Sequence, residues 1–298
     1  MKKFLIFLSL ILLLSLLAGC STPAPAADIA ATTLPVYEFT QRLCEGTNLT
    51  VTRLVTEEVS CLHDYSLNVR QVKAAEAADT IVISGAGLEE FMDDILVNAR
   101  TIDASARIEL ITAEAHDHHH DHEEASDHED HHHEADPHIW LSPANAAIMA
   151  ENICLGLIQT YPVYADIFSA NLNLLQQELT ALQEYGQTTL QDLSCREIIT
   201  FHDGFSYLAQ AFDLTILDAI EEESGSEASA KELIHMIEEV SHHHLPAIFT
   251  EKSGSVSAAG IISRETGAAE FALDMAMAAD SYFDAMYHNI NTLKEALQ

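Results

Sequence analysis

Short apolar or β-branched runs, each followed within a few residues by a helical pattern, recur along most of the chain, and this alternation limits the fold more than any other feature. Ile29–Thr33, Leu49–Val55 and Thr80–Ser84 (TIVIS) read as strands, with Val36–Cys44 and Val69–Ala78 as the helices between them and Gly46 as a helix stop. Strand, helix, strand with short joins is a parallel unit. Leu88–Asn98 reads as another helix and Ile108–Ile111 as another short strand. The pattern restarts at Glu197–Phe201 (EIITF), Ala247–Thr250 (AIFT) and Phe271–Leu273, separated by helical stretches at Phe205–Phe212, Ala230–Val240 and Ser257–Thr266 and closed by amphipathic Tyr282–Leu297. Between the two halves, Ser142-Pro143 supplies an N-cap and a first-turn proline for a helix that stops near Tyr161-Pro162. Leu172, Leu175, Leu179 and Leu182 then mark a helix of some twenty residues, roughly 30 Å long, which can run along two domains. The expected fold class is α/β: two β/α lobes, each with a mainly parallel sheet, bridged by a long interdomain helix. The lobes are placed at 28–161 and 191–298 and the bridge at 162–190.

The chain has 298 residues, 48% of them hydrophobic, enough to bury a core in two domains. Its formal charge of −34 excludes nucleic acid as a partner, because a phosphate backbone binds positive surface. Lys2 and Lys3 precede an apolar run from Phe4 to Leu17 that ends in Leu17-Ala18-Gly19-Cys20. This reads as a secretory signal peptide over 1–19, too short for a stable bilayer span. Cys20 after small residues resembles a bacterial lipobox, which makes it the lipidated first residue of the mature chain. Residues 20–27, small and Pro-rich, read as the tether of an extracytoplasmic, membrane-anchored protein.

Isolated histidines fall where ligands collect in open α/β sheets, outside the carboxyl ends of strands. His63 follows the strand ending near Val55, His138 lies in Asp136-Pro137-His138-Ile139-Trp140, and His202 follows EIITF; Asp274 stands equivalently after Phe271-Ala272-Leu273. Taken singly, each histidine is as readily a hydrogen-bonded loop residue, and Asp274 a helix cap. Taken together, three imidazoles and a carboxylate suit zinc, a borderline-soft cation with four tetrahedral ligands. A zinc hydrolase, which needs an open coordination position and a general base, fits less well, and no enzyme activity is expected.

The segment from Glu114 to Asp136 holds nine histidines (His116, His118, His119, His120, His122, His128, His131, His132 and His133) and ten acids, with no apolar periodicity. It cannot contribute to a core and reads as an inserted loop able to bind zinc weakly at several points. His242-His243-His244 reads as a helix–strand loop with incidental exposed imidazoles. Cys44, Cys61, Cys154 and Cys195 allow three disulfide pairings that sequence leaves open. A Cys44–Cys61 bridge is not expected, because a parallel unit sets these positions at opposite sheet edges, roughly 17 Å apart. Cys61 is expected to be a free thiol rather than a ligand.

His63-Asp64-Tyr65, Asp136-Pro137-His138-Ile139-Trp140-Leu141-Ser142-Pro143, Phe201-His202-Asp203-Gly204-Phe205 and Leu273-Asp274, in this order, resemble the zinc-binding branch of the zinc and manganese solute-binding proteins of bacterial ABC transporters. The resemblance covers nearly the whole mature chain, from Thr33-Leu34-Pro35-Val36-Tyr37 to Tyr282–Asn289. It implies His63, His138 and His202 as imidazole ligands and Asp274 as the carboxylate, in a cleft between two β/α lobes. Manganese-binding members carry a carboxylate where His202 stands, so the histidine argues for Zn2+ over Mn2+. The resemblance further implies delivery to an ABC permease with its ATPase, a monomer, and an auxiliary role for the His-rich loop. Surface zinc buffering or adhesion is the alternative that shares the anchor, fold and loop.

Overall fold

A computed structural model describes residues 27–57, 59, 62, 65–112, 135–219, 228–252, 257–277 and 279–298. The expected leader and Cys20, the site candidate His63, the free thiol expected at Cys61, and the nine histidines of the acidic segment lie outside the described residues.

Eight strands form two sheets among the described residues. In the first, β1 (Ile29–Ala31), β2 (Val51–Arg53), β3 (Thr80–Ile83) and β4 (Thr101–Asp103) lie in the order β2-β1-β3-β4. In the second, β5 (Glu197–Thr200), β6 (Thr215–Ala219), β7 (Ala247–Glu251) and β8 (Ala269–Leu273) lie in the order β6-β5-β7-β8. All neighbouring strands run parallel. The sheets thus share one topology, and in each the direction of travel reverses once, between β1 and β3 and between β5 and β7. A switch point of this kind opens a crevice beyond the carboxyl ends of the strands.

The helices are α1 (Leu34–Leu43), α2 (Val69–Ala77), α3 (Asp93–Leu96), α4 (Pro143–Thr160), α5 (Ala165–Thr189), α6 (Ser206–Ala211), α7 (Ala230–His243), α8 (Ser257–Thr266) and α9 (Tyr282–Leu297). Local chemistry explains several starts. Asn68 and Gln71 form a reciprocal capping box on α2, and Ser142 caps α4 ahead of Pro143. At 25 residues, α5 is about 38 Å long. It packs against α1 and α4 of the first lobe and α9 of the second, which makes it the bridge.

Four local expectations change. Ile108–Ile111 is not a strand; the fourth strand of the first sheet is Thr101–Asp103, where only Ile102 is buried. Leu88–Asn98 is broken into a 3-10 turn (Glu90–Met92) and the single turn of α3, with Glu89 turned back onto the sheet. β6 was not apparent as a strand. His242 and His243 belong to the last turn of α7, where His243 Nδ1 lies 3.0 Å from Glu197 Oε2 and His244 ends the helix with φ +53°.

One apolar core runs through both lobes, from Ile29, Val36 and Phe39 through Trp140, Leu175 and Leu182 to Phe249, Tyr282 and Ile290. Smaller clusters cover the outer face of each sheet. The lobes meet through directional contacts as well. Trp140 Nε1 donates to Met275 O at 2.8 Å, and Tyr282 Oη donates to Trp140 O at 2.8 Å. Glu38 of α1 accepts from Tyr282 N at 2.6 Å and Ser281 Oγ at 3.4 Å, so a carboxylate from one lobe caps the first turn of α9 in the other. Cys44, Cys154 and Cys195 are free thiols, and burial pushes Cys44 up to about 12 and Cys154 to about 11.

Candidate metal centre

His138 and His202 come together from different lobes. Asp136-Pro137-His138 leads into a 3-10 turn, Ile139–Leu141, that buries Trp140 completely at the lobe interface and leaves His138 only 3% exposed. The Asp136 carboxylate folds back over its own turn, its Oδ1 accepting from His138 N at 2.9 Å and contacting Nδ1 at 2.8 Å. Tyr207 Oη donates to Asp136 O at 3.0 Å and fixes the turn against the second lobe. His202 leaves β5 after one residue, and Thr200 Oγ1 donates to its carbonyl at 3.0 Å. A Cβ on Gly204 would lie 2.7 Å from His202 Nε2 and 2.8 Å from Met275 Cε, so only glycine lets the turn close over the imidazole.

The two imidazoles are oriented alike. Each sets Nδ1 toward a buried carboxylate: Asp136 Oδ1 for His138, and Glu251 Oε1 at 3.4 Å for His202. A carboxylate bonded to Nδ1, as Asp136 is for His138, favours the proton there and leaves Nε2 free to donate its lone pair. The two Nε2 atoms face one another at 3.5 Å, with the rings nearly perpendicular at 86°. Two ring nitrogens at this distance can share a proton or a cation. With metal–nitrogen bonds of 2.0–2.1 Å, the edge of a tetrahedron around zinc is about 3.4 Å.

Asp274 follows β8, and its backbone is clamped by Asn289: Asn289 Oδ1 accepts from Asp274 N, and Asn289 Nδ2 donates to Asp274 O, both at 2.7 Å. Its Oδ1 accepts from Ala276 N at 2.8 Å and its Oδ2 lies 3.3 Å from Lys252 Nζ. The next residue, Met275, accepts from Trp140 Nε1 through its carbonyl, and its Cε lies 2.8 Å from where a Cβ on Gly204 would stand. Among the described residues no group of three or more His, Cys, Asp or Glu is gathered as a cage; the structure joins His138 to His202, and holds Asp274 after β8 against Lys252. Asp136 and Glu251 were not singled out from sequence. Their only signal was a carboxylate two residues before His138 and another ending the strand AIFTE. Buried Glu251 and Asp274 at the ends of β7 and β8 add negative charge, which draws cations.

The ends of the His-rich segment meet: Thr112 bridges Ala135 antiparallel, and Asp136 N donates to Ile111 O at 2.8 Å. The segment therefore leaves and rejoins the body at one point, two residues before His138.

The family model of zinc-uptake complex component A, periplasmic, matches residues 29–296. A Treponema pallidum (strain Nichols) protein named only for metal binding is 28% identical over 295 residues, 93% of this chain and 92% of its own length. The zinc-binding lipoprotein AdcA of Streptococcus pneumoniae serotype 4 is 29% identical over 312 residues; the match covers 99% of this chain but 61% of the longer AdcA. A ZnuA deletion mutant solved with zinc bound is 27% identical with a TM-score of 0.76, over 92% of this chain and 98% of that one. With the match running through both lobes and across the imidazole pair, the chain belongs to the family of the periplasmic component A of zinc-uptake complexes.

Proposed function

We propose that this protein is the extracytoplasmic zinc-binding component of an ABC importer, capturing Zn2+ between its lobes and passing it to a permease driven by its ATPase. The observation that carries the reading is the pair of facing Nε2 atoms of His138 and His202, each braced by a buried carboxylate and separated by 3.5 Å, close to a tetrahedral zinc edge. The family and the zinc-bound relative support the same cargo. In this reading His63 and Asp274 complete the ligand set, Zn2+ is favoured over Mn2+, and the lobes at 28–161 and 191–298 with the bridge at 162–190 form the two walls and spine of the cleft. Cys20 carries a lipid anchor, as the AdcA relative's name indicates for that protein. The histidines from His116 to His133 collect zinc beside the entrance without forming the tight site.

Titrating metal-free protein with zinc against a chelator, with manganese in competition, tests the assignment. H138A and H202A should each weaken zinc binding at least a hundredfold, with little effect on the melting temperature of metal-free protein. Wild-type affinity in either variant sinks the site. Deleting residues 115–134, whose flanks already pair, should leave one tight zinc per chain and remove only weaker stoichiometry.

A further inference from the structure

We propose that Lys252 is a tethered competitor for the cargo: its ammonium holds the Asp274 oxygen that a captured zinc ion needs and must swing out for capture. The inference rests on the reading of Asp274 as a ligand. The sheet itself builds the arrangement. β7 and β8 are parallel neighbours with Glu251 opposite Leu273, so the next residue of each strand, Lys252 and Asp274, lie side by side, and Lys252 N donates to Leu273 O at 2.8 Å. Asp274 cannot turn away. Asn289 clamps its backbone on both sides, Ala276 N holds Oδ1, and its side chain is 8% exposed.

Oδ2 is therefore the oxygen this carboxylate can offer a cation from the cleft, and Lys252 Nζ lies 3.3 Å from it. Ammonium and zinc compete for that oxygen, because two cations on one carboxylate oxygen repel. The asymmetry of exposure decides which one moves: the lysine side chain is 63% exposed, on a flexible stem, while the aspartate is fixed. Capture then exchanges one cation for another instead of meeting a bare carboxylate. Release exchanges them back, so Lys252 lowers the affinity of the cleft and aids hand-over.

Zinc titration of the full chain by chelator competition at low ionic strength tests this, with zinc alone as the probe, on wild type, K252M, D274N and the double variant. Replacing Lys252 by methionine should tighten zinc binding roughly two- to fivefold, the scale of an exposed ion pair. The same change in the D274N background should do nothing. Unchanged affinity in K252M overturns the proposal, and so does an equal gain with and without Asp274, which is what a distant positive charge would give. D274N binding zinc as tightly as wild type fails differently: it removes Asp274 from the ligand set, and Lys252 with it.

Discussion

Glu89 is the side chain in the first lobe whose burial has the largest consequence. It is 3% exposed, at the carboxyl ends of β1 and β3, and accepts from Thr32 Oγ1 at 2.6 Å, Ser84 N at 2.7 Å and Gly85 N at 2.9 Å. Burial pushes its carboxyl up to about 7 against these bonds, and Asp103 adds to the rise. Its folded value thus lies above the ordinary 4.5, so the native state binds the proton more tightly than the unfolded chain. The stability this contributes is full below about 4.5 and is lost as pH rises to about 7. Urea unfolding should find wild type losing stability relative to E89Q by on the order of 3 kcal/mol between those pH values. A constant difference across that window would show that Glu89 keeps its charge throughout. Glu89 was not legible in a chain so rich in acids, and neither were Asp136 and Glu251, because burial distinguishes them and sequence does not display burial. His138 and His202 were legible through the motifs that hold them, Asp136-Pro137-His138-Ile139-Trp140 and Phe201-His202-Asp203-Gly204-Phe205.

Several strands were legible from their apolar and β-branched residues. β3, β5 and β7 are central strands, and their uninterrupted apolar runs announce them. β4 and β6 are sheet edges, where the first buries one residue of three and the second none completely, and no strand is expected at either from sequence. The long helix was legible from its leucine spacing, and α5 continues through Gly186 to Thr189. That glycine is there for contact. A Cβ would lie 2.2 Å from Phe212 Cε1, 2.5 Å from Phe212 Cζ and 3.1 Å from Ile290 Cδ1. Phe212 is 3% exposed and has no room to retreat. Alanine gains about 1 kcal/mol of helix propensity over glycine, while overpacking a fixed core costs about 1–3 kcal/mol. G186A should therefore lower stability, by about 1 kcal/mol, as a reduced urea midpoint. A stabilised variant would mean that α5 can shift away from α9, and that the bridge is looser than its packing indicates.

At the scale of the molecule, two lobes with separate sheets would ordinarily unfold separately, yet here one apolar core crosses between them. The crossing is reinforced at Trp140, which is fully buried, donates to Met275 of the second lobe and accepts from Tyr282. Separating the lobes would strip both bonds and expose the indole, so neither lobe can melt without disturbing the other. Unfolding is accordingly expected as one transition, with Trp140 fluorescence and far-ultraviolet circular dichroism coincident. Trp140 is the chain's sole tryptophan, and its ring lies 5.4 Å from that of His138, so the same signal reports on the site. Zinc that binds only the folded form must then stabilise both lobes together, by about 2.7 kcal/mol at a free concentration one hundred times the dissociation constant. Heating with increasing zinc should move the single transition upward intact, and H202A should abolish the movement. Two transitions of which zinc moves only one would place the cation within a lobe instead of between the two, and the imidazole pair would lose its role as the bridge.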